Sequence, residues 1–196
     1  MTIAEIGTVL AGVTFAASSY LYIQDTIMAK ITPSIATFGI LTVVNFSQLI
    51  ALISKGVWHV VPFTTVGFMQ ALIVFIIAIK GGMFYFRAVD LIAVTGALFG
   101  FILWITHQNA AYNIYVLNAV IAITFIPLIT KAFKEPTLET KLPWQSNLLA
   151  SILLLFTITS TAPYVWIVPV RQFVCSLLVN IGISLPGVRR KSRRSF

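Results

Sequence analysis

Asn45, Gln48, Gln70, Asn113, Asn118, Asn147, Gln172 and Asn180, together with Trp104, punctuate stretches of sequence that are otherwise almost wholly apolar. A carboxamide offers two N–H donors and a carbonyl acceptor, so such a set suits a neutral polar ligand bearing hydroxyl, carbonyl or amide groups. Asn45 and Gln48 are three apart and share one helix face. Gln70 and Gln172 fall at matched places in two similar halves and are expected to face one another. The blander role is hydrogen bonding between helices, where such side chains contribute about 0.6–2 kcal/mol. The expected ligand-binding set is Asn45, Gln48, Gln70, Trp104, Asn118, Gln172 and Asn180.

Arg171 is a basic residue inside an apolar run, roughly seven residues or ~10 Å from where the run starts. Pro169 loosens the helix just before it, so Arg171 is expected to snorkel outward or to pair with Glu5. Recognition of an anionic group on a ligand is the alternative. Gln172 points about 100° away on a helix, so the two side chains do not converge easily. Asp25 and Asp90 have Lys30 and Arg87 close by, which favours a charge cluster over a proton-coupling carboxylate. His59 and His107 fall at the ends of runs, so no histidine cluster can hold a metal in the apolar interior. Neither a glycine-rich phosphate loop nor a nucleophile–base spacing stands out. An enzyme and a bound cofactor are therefore not expected. Cys175 is the lone cysteine and reads as a small buried hydrophobe.

Composition sets the elements that must position these side chains. Of 196 residues, 59% are hydrophobic and 9% charged, outside the range of a soluble domain. Seven runs lie near 6–23, 35–54, 60–79, 88–106, 110–130, 146–163 and 164–185. Each has about twenty residues or a little fewer, which at ~1.5 Å per residue roughly crosses a ~30 Å hydrocarbon core. The expected fold class is all-α integral membrane with seven transmembrane helices.

Alternating spans place Lys30, Lys80, Arg87, Lys131, Lys134 and Lys141 on one side with the tail Arg189, Arg190, Lys191, Arg193 and Arg194. Lys55 is left near the other side. Cytoplasmic loops are enriched in Lys and Arg, so the N-terminus is expected outside and the C-terminus in the cytoplasm. The formal charge of +8 is what orientation requires and implies no nucleic acid. The basic tail suits anionic headgroups of the inner leaflet. Glu5, rather than a basic stretch, precedes the first run, which is therefore expected to be retained and not cleaved.

The chain also carries a repeat. Aligning Pro33 with Pro136, an offset of 103, brings Tyr22 to Phe125, Ile23 to Ile126, Ala29 to Ala132, Ser34 to Thr137 and Thr37 to Thr140. An offset of 102 matches Asn45 with Asn147 and Gln70 with Gln172. Spans one to three then correspond to spans five to seven, and span four is a linker. Three spans is an odd number, so the fourth restores the same orientation to both halves, giving two parallel three-helix repeats with a site between them. The expected division is 1–80 for the first repeat, 81–109 for the linker helix, 110–186 for the second repeat and 187–196 for a basic cytoplasmic tail.

Tyr22, Asp25, Thr26, Lys30 and Pro33, with Pro127, Lys131, Pro136 and Glu139 as the second repeat's counterpart, resemble the PQ-loop and SWEET superfamily, closest to its small bacterial members. The Pro-Gln pair of that superfamily is replaced here by Ile23-Gln24 and Pro127-Leu128. The resemblance implies a facilitator-type transporter for a small polar solute such as a sugar, nucleoside or amino acid, in a bacterial inner membrane. It also allows a non-transporting receptor or assembly factor of the same architecture. Pro33, Pro127, Pro136 and Asp25 are the expected gating residues, with spans one and five bending near their inner ends while span four, with Gly96 and Gly100, packs as a strut. The expected partners are the solute and the bilayer, and self-association into a homo-oligomer is compatible with both.

Overall fold

The computed structural model describes residues 2–31, 33–81, 91, 95, 98–99, 102, 106, 109–136 and 139–185. The described chain is all-helical. Its six helices are α1 (Ile3–Ile27), α2 (Ile35–Ser54), α3 (Val61–Lys80), α4 (Ala110–Lys134), α5 (Lys141–Leu155) and α6 (Pro163–Ser184). A single 3-10 turn, Trp58–Val60, leads into α3.

Local chemistry explains the boundaries. Thr2 and Glu5 form a reciprocal capping box: the Glu5 amide donates to the Thr2 hydroxyl at 3.2 Å, and the Thr2 amide to the Glu5 carboxylate at 2.9 Å. This starts α1 earlier than its hydropathy suggests. The Ser34 hydroxyl accepts from the Thr37 amide at 3.3 Å to cap α2, and Asn109 Oδ1 accepts from the Ala111 amide at 3.1 Å to cap α4. Prolines occupy the first turns of α3 and α6, where no amide donor is needed.

Among the described residues five helical stretches, not seven, are long and apolar enough to cross a membrane: Ala4–Ile27, Ile35–Ser54, Trp58–Lys80, Ala110–Lys134 and Pro163–Ser184. The shortfall has two sources. The span expected at 88–106, including Trp104, Gly96 and Gly100, lies largely outside the described residues, of which Leu91, Thr95, Leu98, Phe99, Ile102 and Thr106 are helical. The span expected at 146–163 is instead the 15-residue α5, about 22 Å long. It starts earlier because Lys141 and Pro143 sit in its first turn, where a proline is tolerated. It stops at Leu155 because the amides of Phe156, Thr157 and Ile158 each bond back only three residues. The run Thr159–Ala162 then leads into Pro163, and the residue before a proline disfavours the helical region.

Side-chain contacts fix the direction of each helix. Phe15 stacks on Phe63 and the Ser19 hydroxyl donates to Gln70, so α1 and α3 run parallel. Gly7 lies against Leu153 and Thr157 while the Ser18 hydroxyl donates to the Pro143 carbonyl, so α5 opposes α1. Phe46 meets Phe68 and Gly39 meets Phe75, so α2 opposes α3. Arg171 bonds Asn118 and Gly182 abuts Ala132, so α4 and α6 run parallel. The principal packing pairs close a ring in the order α1, α3, α2, α4, α6, α5 and back to α1. Exchanging α1, α2 and α3 for α4, α5 and α6 maps this set of pairs onto itself.

One end of the ring carries Lys30, Lys80, Lys131, Lys134 and Lys141 and is called the basic end below; the other carries Lys55. Val9, Val13, Val43, Phe46, Ile76, Leu149, Ile152 and Val174 point outward and are exposed, whereas Gln48, Thr64, Asn118, Thr124, Asn147, Gln172 and Ser176 are buried. That is the reverse of a water-soluble surface. The apolar exterior suits a lipid bilayer, and the chain is a multi-pass membrane protein.

Among the described glycines, Gly182 makes the closest approach to its neighbours. A Cβ there would lie 2.9 Å from Phe133 Cδ2 and 3.0 Å from both the carbonyl carbon and the Cβ of Ala132. Two of those atoms cannot swing away. Gly182→Ala is therefore expected to lower stability by about 1–3 kcal/mol, seen as a fall in the thermal unfolding midpoint in detergent. Gly12→Ala, whose nearest neighbour would be Pro62 Cβ at 3.6 Å, should leave that midpoint unchanged.

Candidate functional site

A cavity of about 590 Å³ occupies the centre of the ring, with wall residues from all six helices. Its size falls in the range of small-molecule sites. Helical periodicity selects what α2 and α4 present to it. From α2 and its capping residue come Ser34, Thr37, Phe38, Leu41, Asn45 and Gln48; from α4 come Ile121, Thr124, Phe125, Pro127, Leu128 and Lys131. The α2 set steps by three or four residues apart from one adjacent pair, the signature of a single helix face, and the α4 set widens around Pro127.

At the basic end the wall reaches the helix connections, through Pro33, Ser34, Lys131, Glu135 and Glu139. Toward the other end it stops at Phe15 and Phe63, whose rings stack at 4.0 Å and 9°. Beyond that stack lies a dry apolar cluster of Ala11, Ala51, Leu52, Val57, Val60, Ala110, Ile114, Leu154 and Val165. Leu52, Val60, Ile114 and Leu154 are fully buried in it. The cavity is thus bounded by polar connections on one side and a greasy plug on the other.

An ion pair and an aromatic box shape the mouth. Lys131 Nζ lies 2.8 Å from Glu139 Oε1, and Trp144 Nε1 donates to Glu139 Oε2 at 3.2 Å. The Glu139 side chain is only 1% exposed, so both oxygens are satisfied away from water. Tyr22 and Phe125 meet Trp144 edge-on, at 6.1 Å and 84° and at 6.3 Å and 80°. These are the two residues that the offset of 103 matches.

In the middle of the cavity the polar groups differ in how far they are satisfied. Gln172 Nε2 donates to Asn147 Oδ1 at 3.1 Å, and Gln70 Oε1 accepts from the Ser19 hydroxyl at 2.9 Å. Gln48 is fully buried on the wall, and among the described residues neither its Oε1 nor its Nε2 has a hydrogen-bond partner. An orphaned buried carboxamide is costly, and in native proteins such a group is usually paired. Arg171 also lines the cavity and donates through Nε to Asn118 Oδ1 at 2.7 Å.

Of the residues expected from sequence to bind a ligand, Asn45, Gln48, Gln70 and Gln172 are brought together on this wall. Asn118 and Asn180 are not on it. Asn118 Nδ2 donates to the Ile114 carbonyl while its oxygen holds Arg171, and Asn180 Nδ2 donates to the carbonyls of Trp144 and Ser176. Trp104 lies outside the described residues.

Among the expected gating residues, Pro33 and Pro127 are on the wall and Pro136 and Asp25 are not. Asp25 pairs with Lys30 at 2.9 Å on the surface of the basic end, as its sequence neighbourhood suggested. Pro127 does not interrupt its helix: α4 runs through it to Lys134. Two expectations for Arg171 are corrected. It does not snorkel outward, because Asn118 one helix away offers an inward acceptor, and Glu5 is engaged with Thr2 rather than with Arg171.

Reading the sequence alone left out Trp144, Thr124, Tyr22 and the Phe15–Phe63 stack as wall residues. The spacing Trp144–Asn147 and the ladder Thr37, Leu41, Asn45, Gln48 were readable as helix faces. Which face turned inward was not. No protein-family model, curated protein or solved structure matches the chain.

Proposed function

We propose that the protein is a facilitator-type transporter for a small polar solute, working by alternating access between two three-helix repeats, in the manner of the PQ-loop and SWEET superfamily it resembles. The observation that carries this reading is Gln48: a fully buried amide on the wall of a central cavity, with no protein partner for either polar atom. A bundle built only for packing would gain by replacing it with leucine. A solute bearing a hydroxyl or amide supplies what it lacks.

Three further features support the reading. The packing ring is unchanged by exchange of its halves, as a parallel repeat requires. Asn45 and Asn147, and Gln70 and Gln172, are matched in sequence and all four lie on the cavity wall. Finally, α3 ends at the basic end whereas α4 begins at the other, as two halves held the same way up require. The charge bias favours a cytoplasmic basic end, and in that orientation the cavity communicates inward and the plug seals the outside.

Purified protein in proteoliposomes tests this. Saturable counterflow of a member of a panel of sugars, nucleosides, amino acids and small organic acids is the expected result. Saturable binding without flux would favour a receptor or assembly factor instead. Pro127 supplies a second check. Its missing amide leaves the Ile123 carbonyl without a donor and gives α4 a soft point on the cavity wall. Pro127→Ala is expected to slow uptake several-fold with expression unchanged; wild-type rates would remove Pro127 from gating.

A further inference from the structure

Resting on the transporter reading, we infer that the solute is a small organic monoanion, with its carboxylate docked on Arg171. The inference begins from charge. Arginine is always ionised, and a lone cation at membrane depth persists only with a partner or a polar cavity. Four of the chain's five acidic residues are described, and none of them pairs with Arg171. Glu5 caps α1, Asp25 holds Lys30, and Glu139 holds Lys131 and Trp144. Glu135 follows the last turn of α4, at the basic end.

Depth separates Arg171 from the acids at the mouth. Asn180, which donates to the Trp144 carbonyl, lies nine residues further along α6, a rise of about 14 Å. Trp144 in turn donates to Glu139. The deep part of the cavity therefore holds a positive charge with no acid at its own level among the described residues.

The guanidinium is also held ready. Its Nε is fixed by Asn118 at 2.7 Å, and Asn118 is itself oriented by the Ile114 carbonyl at 2.7 Å. Among the described residues the Nε–Asn118 bond is the one hydrogen bond of the guanidinium, so Nη1 and Nη2 have no partner there. Two free, coplanar donors on a clamped guanidinium match the two oxygens of a carboxylate.

The rest of the wall narrows the class. Charges on the wall pair off at the mouth as Lys131 with Glu139, and Glu135 balances Arg171 only from a distance. A doubly charged phosphate ester would bring in one charge more than Arg171 can neutralise. A zwitterionic amino acid would bring an ammonium group to a depth with no acid to receive it. Gln48, Gln70, Asn147 and Thr124 suit hydroxyl or carbonyl groups on the remainder of the molecule. A hydroxy acid, keto acid or sugar acid fits best.

The test is uptake into proteoliposomes of two matched pairs, glucuronate against glucose and lactate against alanine, by wild type, Arg171→Gln and Arg171→Lys. Wild type is expected to favour the anion of at least one pair by tenfold or more. A valinomycin-set potential, positive inside, should accelerate that uptake. Arg171→Gln should lose anion flux at least tenfold while flux of the neutral partner is kept or gained, a change of selectivity that simple misfolding does not produce. Arg171→Lys should retain part of the anion preference and guards against a folding failure in the glutamine variant. Flux confined to glucose or alanine, unchanged in Arg171→Gln, overturns the inference and leaves the transporter reading standing. Recovery of wild-type flux in Arg171→Gln with Asp90→Asn also overturns it, because Arg171 would then be an ion-pair partner. Flux of none of the four by any variant overturns the inference, and the transporter reading falls with it only when the wider panel also shows no counterflow.

Discussion

Gln48→Leu should yield a protein at least as stable as its parent that transports at a tenth of the parental rate or less. The two halves of this expectation have one cause. Gln48 is fully buried, and both polar atoms of its carboxamide lack partners. Each such group costs about 1–3 kcal/mol of desolvation that no described side chain or backbone group offsets. Leucine removes that cost and keeps a similar volume, packed beside Val44 on α2. The same change deletes hydrogen bonds that a solute would make, and a tenfold loss corresponds to about 1.4 kcal/mol, within reach of the two bonds that the carboxamide offers at about 0.5–1.5 kcal/mol each. Thermal unfolding in detergent and initial uptake rates measured on one preparation check both halves. A variant that is less stable and transports normally would mean that Gln48 is a packing residue.

The second large effect lies at the mouth. Lys131→Met should lower stability by about 3–5 kcal/mol, because it strands the buried Glu139 carboxylate with Trp144 Nε1 as its remaining hydrogen-bond donor. That is a large share of the roughly 5–15 kcal/mol available to an ordinary folded domain. Adding Glu139→Gln to Lys131→Met removes the stranded charge and should return most of the loss. Glu139→Gln alone should be milder, since the Lys131 side chain is 19% exposed and can turn its ammonium toward water. Unfolding midpoints of the three variants, compared at one detergent concentration, give the coupling directly. Equal losses in all three would show that the pair contributes little.

Much of the fold was legible because hydropathy reports membrane crossings well. The boundaries of α2, α3 and α6 fall within a residue or so of their apolar runs. Failures came where hydropathy and backbone chemistry part. Lys141 and Pro143 look like a loop yet open α5, because a helix's first turn tolerates both. Ile158 looks like the continuation of the apolar run Ile152–Leu155 yet lies beyond the helix, because hydroxyl side chains and Pro163 follow it.

The site was legible only in part, for a related reason. Polar residues in apolar runs announce that they have partners, but the sequence does not say whether the partner is a ligand or another helix. Gln48 and Asn118 look alike on the page. One lies buried on the cavity wall without a hydrogen-bond partner among the described residues, and the other clamps an arginine. Arg171 was noticeable from its charge, while its inward turn depended on Asn118, which is 53 residues away. The mouth pair of Lys131 and Glu139 straddles a chain reversal that no periodicity reveals.

The brevity of α5 has a physical consequence for the surrounding lipid. Its rise of about 22 Å falls short of a typical hydrocarbon thickness of about 30 Å, and Leu149, Ile152 and Phe156 on its outer face are exposed to acyl chains. Beyond it the backbone leaves the helix, with the Ser160 carbonyl accepting from Trp166 Nε1 at 2.6 Å and the Ser160 hydroxyl accepting from the Ala162 amide at 3.2 Å. Those bonds satisfy part of the non-helical backbone internally, and the short apolar length of α5 is expected to thin the bilayer on that flank by hydrophobic mismatch. The insulating layer is expected to be thinnest there, where α5 packs between α1 and α6.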